Sequence, residues 1–416
     1  MSSLFLQIHT LTSYPAALLN RDDLGFAKRL AYGGAERTRI SSQCLKRHWR
    51  TFEGEFSLDA LDAPKTVRSR VTFERLIVEP LLAEGHDVAR VRAVVGALRD
   101  VVLDAKEKPE ATEAAPKTAG KKKKAAAEVD TAEEGEAPAG PVETKQVTVL
   151  GQPEVDYLTA LAREAITTDA PTGKKEIQKW LGKERLENLR TLVMGGGLGA
   201  AMFGRMVTSD ILARCDAAVH VAHAFTVHEN EQTTDYFAAI DDLIRESGEQ
   251  GSGHIGNVEL TSGLYYGYVV VDVPLLVSNL TGVKPSGWGE ADRSLAAEIV
   301  ARFIQLVATV SPGAKLGSTA PYAHAHAILV EAGASQPRTL ASAFQDPVST
   351  RSGRLLEETY RTLAGHLQEF DRVYGKRVDR WHAAIGLPAD LDFASENAGS
   401  LAEIATRAAD RVRSGR

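Results

Sequence analysis

The chain has 416 residues, 44% of them hydrophobic and 25% charged, with a formal net charge of −6, which is the composition of an ordinary globular protein. No apolar run reaches 18 residues, no charged leader precedes an apolar segment, and Cys44 and Cys215 are the two cysteines. We therefore expect a cytoplasmic protein without a membrane anchor or a disulfide framework. A pI of about 6.0 argues against a wholly basic surface that coats nucleic acid, but it is compatible with one basic groove.

The first predicted strand, over residues 4–12, precedes the most basic stretch of the chain. Residues 1–50 hold eight Lys and Arg against three acids, a local charge of +5. After a Gly-Gly turn, an extended segment carries Arg37 and Arg39, and Ser41-Ser42 predicts the N-cap of a helix over residues 43–52. Free N–H groups and the helix dipole at such an N-terminus both favour negative charge, so this stretch is a candidate anion-binding site.

The predicted helix has a polar face suited to gripping a backbone and an apolar face suited to anchoring it. By helical spacing, the polar face is Gln43, Lys46 and Arg50, and the apolar face is Leu45, Trp49 and Phe52. An ordinary solvated face is the alternative for any charged helix. Neighbouring segments add further cations, which favours the anion-binding interpretation; they are Arg21, Lys28, Arg37 and Arg39.

A helical region interrupted by a long polar insertion is predicted next. Apolar residues recur at helical spacing over 69–104 and again over 148–192. Between them, residues 106–147 contain no Leu, Ile, Met or aromatic residue, so we expect a disordered linker. Its lysine run at 121–124 could contact nucleic acid, but the surrounding acids favour a solvated linker. The Gly-rich run at 194–200 lacks the spacing of a phosphate-binding loop and predicts a flexible turn into a strand at 204–209.

The C-terminal half alternates helices and strands. The pattern predicts a helix over 211–228 capped by Ser209 and Asp210, an irregular stretch over 229–262, a strand over 264–273, a helix over 293–310, a strand over 322–331 and helices over 353–413. With the N-terminal elements, this gives the order strand, helix, strand, strand, helix, strand of a ferredoxin-like fold in the α+β class. Such a sheet does not by itself specify a function.

Candidate metal ligands and catalytic groups are few. The histidines fall in two groups, His220, His223 and His228, and His324 and His326. No Cys pair or H-E-x-x-H sequence accompanies them, so we predict core or partner-facing histidines and no metal site. Adjacent aspartates at 22–23 and 241–242 are expected to cap or to pair with cations rather than to hold a nuclease metal. No nucleophile elbow, Cys–His signature or dinucleotide fingerprint is present, so no catalytic residue or cofactor is predicted.

Runs of sequence distributed over residues 1–320 form a collinear series. The N-terminal stretch contains LNRDD, a lysine, GG and then RTRISSQCLKR. The later runs are FGRMVTSD at 203–210, DAAVHVAHAFTVH at 216–228, DYFAAIDDL at 235–243, GSGHIG at 251–256, SGLYYGYV at 262–269 and SPGAK at 311–315. Together they resemble the backbone subunit, often called CasC, of the type I-E CRISPR Cascade complex. A resemblance this long is far more specific than any single motif.

The resemblance implies a modified RNA-recognition (RRM) fold with three parts. These are a palm whose N-terminal part is residues 1–54, a helical finger insertion over 55–200 that contains the linker 106–147, and the remainder of the palm over 201–416, with a thumb hairpin at about 229–262 and C-terminal helices. It implies a protein that is not an enzyme. Its copies form a filament along the guide crRNA, bind the phosphate backbone and, with other Cascade subunits, present the guide to target DNA in antiviral defence. No membrane partner is implied.

Charge and resemblance together assign a set of RNA-binding residues: Arg21, Lys28, Arg37, Arg39, Ser41, Gln43, Lys46, Arg50, Met206 and Ile255. Met206 on the palm and Ile255 near the thumb tip are expected to fill the gap left by a displaced base, and simple core packing is the alternative for both. The alternative function is an RNA-processing or target-RNA-cleaving endoribonuclease related to type III backbone subunits, which would need an acid on the thumb. A stand-alone RNA-binding or RNA-processing protein that works without a filament would need an RNP-type aromatic pair on its sheet or a catalytic His/Lys set, and the sequence shows neither.

Overall fold

The computed structural model describes residues 3–103, 140–205, 211–212, 214–240, 252–314, 316–393 and 398–415, with the backbone alone at 238–240 and 252–255. The chain divides into two compact units. The sheet unit comprises Met1–Ala63, Ala201–Gly204 and Asp216–Arg416, and the helical unit comprises Pro64–Ala200 and Arg205–Cys215. The sequence predicted a finger insertion from residue 55, and the helical unit begins at Pro64.

The elements follow one another along the chain in this order. The first part forms β1 (Phe5–Ala17), β2 (Arg29–Tyr32), β3 (Ala35–Ile40), α1 (Ser42–Arg50), β4 (Thr66–Ser69), a π-helical turn (Glu74–Val78) that continues into α2 (Glu79–Ala83), α3 (Val88–Leu103), β5 (Thr148–Gly151), α4 (Gln152–Thr167), α5 (Lys174–Arg190) and α6 (Gly197–Phe203). The second part forms β6 (Val219–Val221), β7 (Ala224–Thr226), β8 (Glu231–Ile240), β9 (Ser252–Asp272), α7 (Val273–Thr281), α8 (Ser294–Thr309), α9 (Leu316–Thr319), β10 (Ala327–Gly333), α10 (Leu355–Tyr374), β11 (Asp379–Ala384) and α11 (Leu401–Ser414).

The sheet unit is built on an antiparallel sheet with the strand order β11-β10-β1-β9-β7-β3-β2, and β6 and β8 also pair with β9. The nearly continuous apolar burial of β1 follows from its central place: Ile8 lies opposite Val330 on β10 and opposite Val269 on β9. The elements β1, α1, β6 with β7, β9, α8 and β10 reproduce the β-α-β-β-α-β order. The predicted ferredoxin-like, α+β fold class is therefore confirmed.

Helices cover both faces of this sheet. Leu11 of β1 belongs to an apolar cluster with Tyr360 and Leu363 of α10. Thr10 and Thr12 project to the opposite face, since side chains alternate along a strand, and they adjoin Trp49 of α1 and Val307 of α8. α11 packs against α8. The core of the sheet unit is thus the sheet itself between α10 and the pair α1 and α8.

The helical unit has its own core. A two-stranded sheet, β4 with β5, accompanies α3, α4 and α5, whose apolar sides form one buried cluster that includes Val94, Leu98, Leu158 and Ile177. The two helical regions predicted over 69–104 and 148–192 are therefore present. The predicted linker 106–147 ends earlier than expected, because Val142 is only 1% exposed and belongs to this cluster. Residues 104–139 lie outside the described part of the chain.

The predicted helix over 211–228 is wrong. Leu212 packs in the core of the helical unit, whereas Val219 pairs with Val271 and Phe225 pairs with Tyr266 on β9 of the sheet unit. The segment therefore passes from one unit to the other, and its second half forms the short strands β6 and β7. Ladder hydrogen bonds to β9 and the β-branched residues of the segment outweigh an apolar spacing that happens to fit a helix.

Other boundaries also differ from the sequence prediction. The Gly-rich run ends in α6 rather than in a flexible turn. Of the strand predicted over 204–209, Gly204 and Arg205 are described, and Arg205 forms an isolated β-bridge with Cys215. The strand predicted from 322 begins at Ala327, and the all-helical prediction for 353–413 missed β11. The strand was missed because it begins with charged residues, which are not typical of a buried strand. Arg380 is nevertheless buried, because Glu331 and Asp371 form ion pairs with it. No described helix has the length and apolarity needed to span a membrane.

Candidate nucleic-acid interface

The N-terminus of α1 is fixed to the end of β1. The Cys44 N–H donates to the Ser41 side-chain oxygen at 3.3 Å, and the Ser41 N–H donates to Asn20 Oδ1 at 2.9 Å. Ser41 is therefore the N-cap, as the sequence predicted, and the helix runs from Ser42 to Arg50 rather than from 43 to 52. Because Asn20 directly follows the β1 region, the helix start has a defined position beside the central strand.

The two predicted faces of α1 are present. Leu45 and Trp49 are buried, and the Trp49 ring packs edge-on against Phe303 of α8 with 5.4 Å between ring centroids. On the other side Gln43 is exposed, and Lys46 and Arg50 are half-buried. At a rise of 1.5 Å per residue this polar face extends for roughly 10 Å along the helix. One face anchors the helix and the other presents amide and cationic groups.

Backbone hydrogen bonds bring further cations to the start of α1. The Lys28 N–H donates to the Asn20 carbonyl at 2.9 Å, and the Arg39 N–H donates to the Lys28 carbonyl at 2.8 Å. Arg21, which is exposed, pairs as a β-bridge with Ala27. Residues that lie far apart in the 20–50 stretch therefore meet at one place, beside the residue that anchors the helix cap.

His223 completes this cluster and was not among the predicted RNA-binding residues. Its Nδ1 lies 3.3 Å from both the Ser42 N–H and the Arg39 guanidinium. Burial and the charges of Arg39 and Lys28 lower the pKa of His223, so the imidazole is neutral at pH 7 and Nδ1 acts as the acceptor, with its proton on Nε2. The wrong helical assignment of 211–228 hid this residue, which β7 places next to β3.

Arg37 differs from its predicted role. Its side chain is 0% exposed, and its guanidinium donates to the carbonyls of Thr226 at 2.9 Å and Phe344 at 3.0 Å. Arg37 therefore joins β3 to β7 and to the 344–345 segment instead of facing solvent. Gly33 permits this close approach, because a side chain there would collide with the carbonyl of Gln345. Ser41 is likewise buried and is used as the helix cap.

A β-hairpin formed by β8 and β9 occupies the predicted thumb region. The register runs from Glu231 opposite Ser262 to Ile240 opposite Ser252. Its base is tied to β2, because Arg29 forms an ion pair with Glu259 at 2.6 Å. Ile255 lies opposite Ala238 in this register. Met206 and residues 241–251 lie outside the described part of the chain.

Two aromatic residues on β8 are exposed and were not predicted as site residues. Tyr236 is 64% exposed and Phe237 is 38% exposed. Phe237 lies opposite Gly256, and a Cβ added to that glycine would lie 2.6 Å from the Phe237 ring, so the ring rests against the glycine backbone. In the sequence these residues are two adjacent aromatics in an otherwise polar stretch. That feature could have identified them, because exposed rings on a strand are typical platforms for nucleic-acid bases.

Within the described ranges, the remaining candidate groups do not assemble into a metal site; the aspartates at 241–242 lie outside those ranges. His220 and His223 lie on or beside β6 and β7, and His228 is buried with its Nε2 accepting from the Leu264 N–H at 3.2 Å. Asp22 caps its own loop, since its Oδ1 accepts from the N–H groups of Leu24 and Phe26 at 2.9 Å. Across the described ranges, no group of three or more His, Cys, Asp or Glu side chains could hold a metal ion.

Comparisons with known proteins agree with this architecture. A family model described as CT1975-like protein matches residues 6–407. A chain in a solved structure described as "CRISPR RNA-guided surveillance complex, pre-nicking" is 26% identical with a TM-score of 0.71, over 98% of this chain and 100% of that chain. A chain from a "CRISPR RNA-guided surveillance complex" is 23% identical with a TM-score of 0.63, over 98% and 99%, and shows the same fold. The chain matches no curated protein sequence.

Proposed function

The chain belongs to the CT1975-like protein family, and from this premise we propose that it is the backbone subunit of a type I-E Cascade surveillance complex. In this role it binds the phosphate backbone of the guide crRNA, oligomerises along it and presents the bases for pairing with target DNA. The cluster at the start of α1 carries the proposal: Lys28, Arg39 and the neutral His223 surround a helix N-terminus. The similarity to chains of RNA-guided surveillance complexes supports it.

The chemistry of this cluster suits backbone binding. Cations and N–H donors at a helix N-terminus bind phosphate without reading a base. Guide-directed complexes leave sequence recognition to base pairing, so the protein gains nothing from base-specific contacts. Arg21, Gln43, Lys46 and Arg50 extend the same surface, whereas Arg37 and Ser41 hold it in place from within. We call the cationic part of this surface the guide face. It consists of five side chains: Arg21, Lys28, Arg39, Lys46 and Arg50.

The hairpin supplies the apolar part of the proposal. Apolar side chains that enter a stack of bases separate neighbouring bases, and aromatic rings give stacking surfaces that tolerate any base. Tyr236 and Phe237 have the exposure that this role requires. Ile255 of the hairpin and Met206 of the palm are proposed to fill the gap left by a displaced base. The hairpin of one copy would reach over the guide held by the next copy, which couples RNA binding to oligomerisation.

The proposed role is non-catalytic, and the experiment must separate it from RNA cleavage. Dye-labelled RNAs of equal, guide-like length and three unrelated sequences are titrated with the protein by fluorescence anisotropy, and each RNA is then examined on a denaturing gel. The proposal predicts affinities that agree within about threefold and full-length RNA after incubation. Strong preference for one sequence, or shortened RNA, would contradict it and would favour the endoribonuclease alternative.

A further inference from the structure

A second site lies in the sheet unit at the opposite end of β1 from the guide face. It is a cavity of about 430 Å³ between Gln7 of β1, the 335–338 segment after β10, the end of α10 and the start of β11. This volume is within the range of ligand pockets. Gln7 precedes Ala17 by ten positions on β1, which corresponds to roughly 30 Å along an extended strand. The cavity is therefore not part of the guide face.

Gln7 lies on the floor of the cavity, and its side-chain amide has one N–H group open to it. Gln7 is only 3% exposed. Its Oε1 accepts from the Tyr268 hydroxyl at 2.8 Å and from the Arg338 N–H at 2.7 Å. These two bonds fix the amide, and its Nε2 forms no hydrogen bond within the described ranges. Because Gln7 lines the cavity and its Nε2 is not among the buried side-chain atoms without a partner, this N–H group is open to the cavity and can donate to an acceptor there.

The charges around the cavity also favour an anion. Its lining contains Arg338, Arg377 and Arg380 but only one acid, Asp371. Arg380 is engaged by Glu331 at 2.6 Å and by Asp371, and Arg338 is engaged by Glu331 at 2.5 Å. Burial would raise the pKa of Glu331, but hydrogen bonds from His9 and Arg338 outweigh it and hold the pKa well below its usual range. Even with this carboxylate counted, the cavity keeps an excess of one positive charge.

Arg377 carries this excess. It is exposed, and no hydrogen bond or ion pair to it is found within the described ranges. The guanidinium therefore remains available at the rim, while the other two arginines are used internally. A guanidinium and an amide N–H group can each donate a hydrogen bond to a carboxylate oxygen.

The rim next to these polar groups is aromatic. The Arg338 guanidinium lies over the Phe370 ring at 4.7 Å from its centroid, and the Phe370 and Tyr374 rings are 4.6 Å apart. Tyr374 is 62% exposed and the adjacent Val373 is 60% exposed. Exposed aromatic surface beside a pocket with a fixed polar group is typical of protein-binding anchors. The ligand should thus carry an apolar group next to its anion.

We propose that this cavity binds an acidic segment of a partner protein, in which a carboxylate reaches Arg377 and Gln7 Nε2 and a neighbouring apolar side chain packs on Phe370 and Tyr374. A nucleic-acid backbone fits less well, because it presents a run of phosphates and the cavity offers one unengaged cation. The site is independent of the guide face, so RNA binding should continue when it is disrupted.

The test uses two fluorescein-labelled nonapeptides and the full-length chain. In one peptide Glu alternates with Leu and Phe, and in the other every Glu is replaced by Gln. Binding is measured by anisotropy for the unaltered chain, for Arg377→Glu, for Tyr374→Ser and for the matched control Arg351→Glu. Arg351 is exposed and does not line the cavity. A labelled oligouridylate RNA serves as the competing class of ligand.

The proposal predicts saturable binding of the acidic peptide that weakens tenfold or more with the Gln peptide and with Arg377→Glu, and at least threefold with Tyr374→Ser. Arg351→Glu should change it less than twofold, and all variants should bind the RNA equally well. Absence of saturable peptide binding, or equal binding by Arg377→Glu, would overturn the proposal. Loss of RNA binding in Arg377→Glu with RNA binding intact in Arg351→Glu would assign the cavity to nucleic acid instead.

Discussion

Lys46 and Arg50 on the polar face of α1 should contribute measurably to the salt dependence of guide binding. Replacing Lys46 and Arg50 with Ala removes two cations from the guide face and leaves the buried face with Leu45 and Trp49 intact. Removing one cation that neutralises a phosphate of single-stranded RNA reduces the slope of log affinity against log salt by about 0.7. The double variant should therefore have a slope shallower by about 1.4. With up to about 1 kcal/mol for each exposed ion pair, its affinity at low salt should fall by up to about thirtyfold.

The assay is anisotropy of a labelled guide-length RNA at four or more salt concentrations. The matched control replaces Arg351 and Arg354, two exposed arginines outside the guide face, with Ala. The control should retain the original slope within error, and circular dichroism should show both variants folded. An α1 variant with the same slope as the control would refute the reasoning, because it would show that these side chains do not meet phosphate.

Three further predictions concern the hairpin and the two cores. Gly256→Ala should displace the Phe237 ring, weaken RNA binding by about fivefold or more and leave the denaturation midpoint nearly unchanged; equal RNA affinity would argue against the hairpin's role. Arg205→Met should destabilise the helical unit by about 3–5 kcal/mol, because it leaves the buried carboxylate of Glu154 without its ion-pair partner. The two carboxylate oxygens lie 2.5 and 2.7 Å from the guanidinium. Urea denaturation measures the loss, and a second substitution, Glu154→Met, should restore most of the stability. Burial lowers the pKa of His9 below its ordinary value of 6.5, so the unfolded chain takes up a proton first and stability should fall as pH drops below about 6.5, by up to about 1.4 kcal/mol per pH unit. His9→Gln should flatten that part of the urea-midpoint curve between pH 6.5 and 5, and an unchanged curve would contradict this.

Elements whose apolar pattern reflects one continuous environment could be predicted from the sequence. β1 is buried along nearly its whole length, and its apolar run predicted it. α1 and α8 each bury one stripe, so their spacing and, for α1, the Ser41 cap were readable. In each case the local sequence and the tertiary contacts favour the same structure.

The failures occur where distant segments decide the outcome. Residues 211–228 pass between two units, which no local periodicity can express. Arg37 and Arg39 are two residues apart on one strand, and the sequence treats them alike. The 344–345 segment, about three hundred positions later, covers Arg37 and leaves Arg39 beside His223.

The same limit applied to the candidate site. The density of cations in residues 1–50 predicted a basic surface in this stretch, and the structure brings Lys28 and Arg39 together at the start of α1. It did not identify His223 or Asn20, because an imidazole and an amide acquire their roles only through the hydrogen bonds that position α1. Tyr236 and Phe237 were visible as neighbouring aromatics, but their exposure depends on the pairing of β8 with β9.

The most direct test of a guide-binding backbone subunit is the mass of the purified chain with and without RNA. Multi-angle light scattering would be measured for the protein alone, with a guide-length RNA and with an RNA of twice that length, at low and moderate salt. The proposed function predicts a small species alone, a ribonucleoprotein with several copies on the guide-length RNA, and about twice as many copies on the longer RNA. A single copy regardless of RNA length would contradict it.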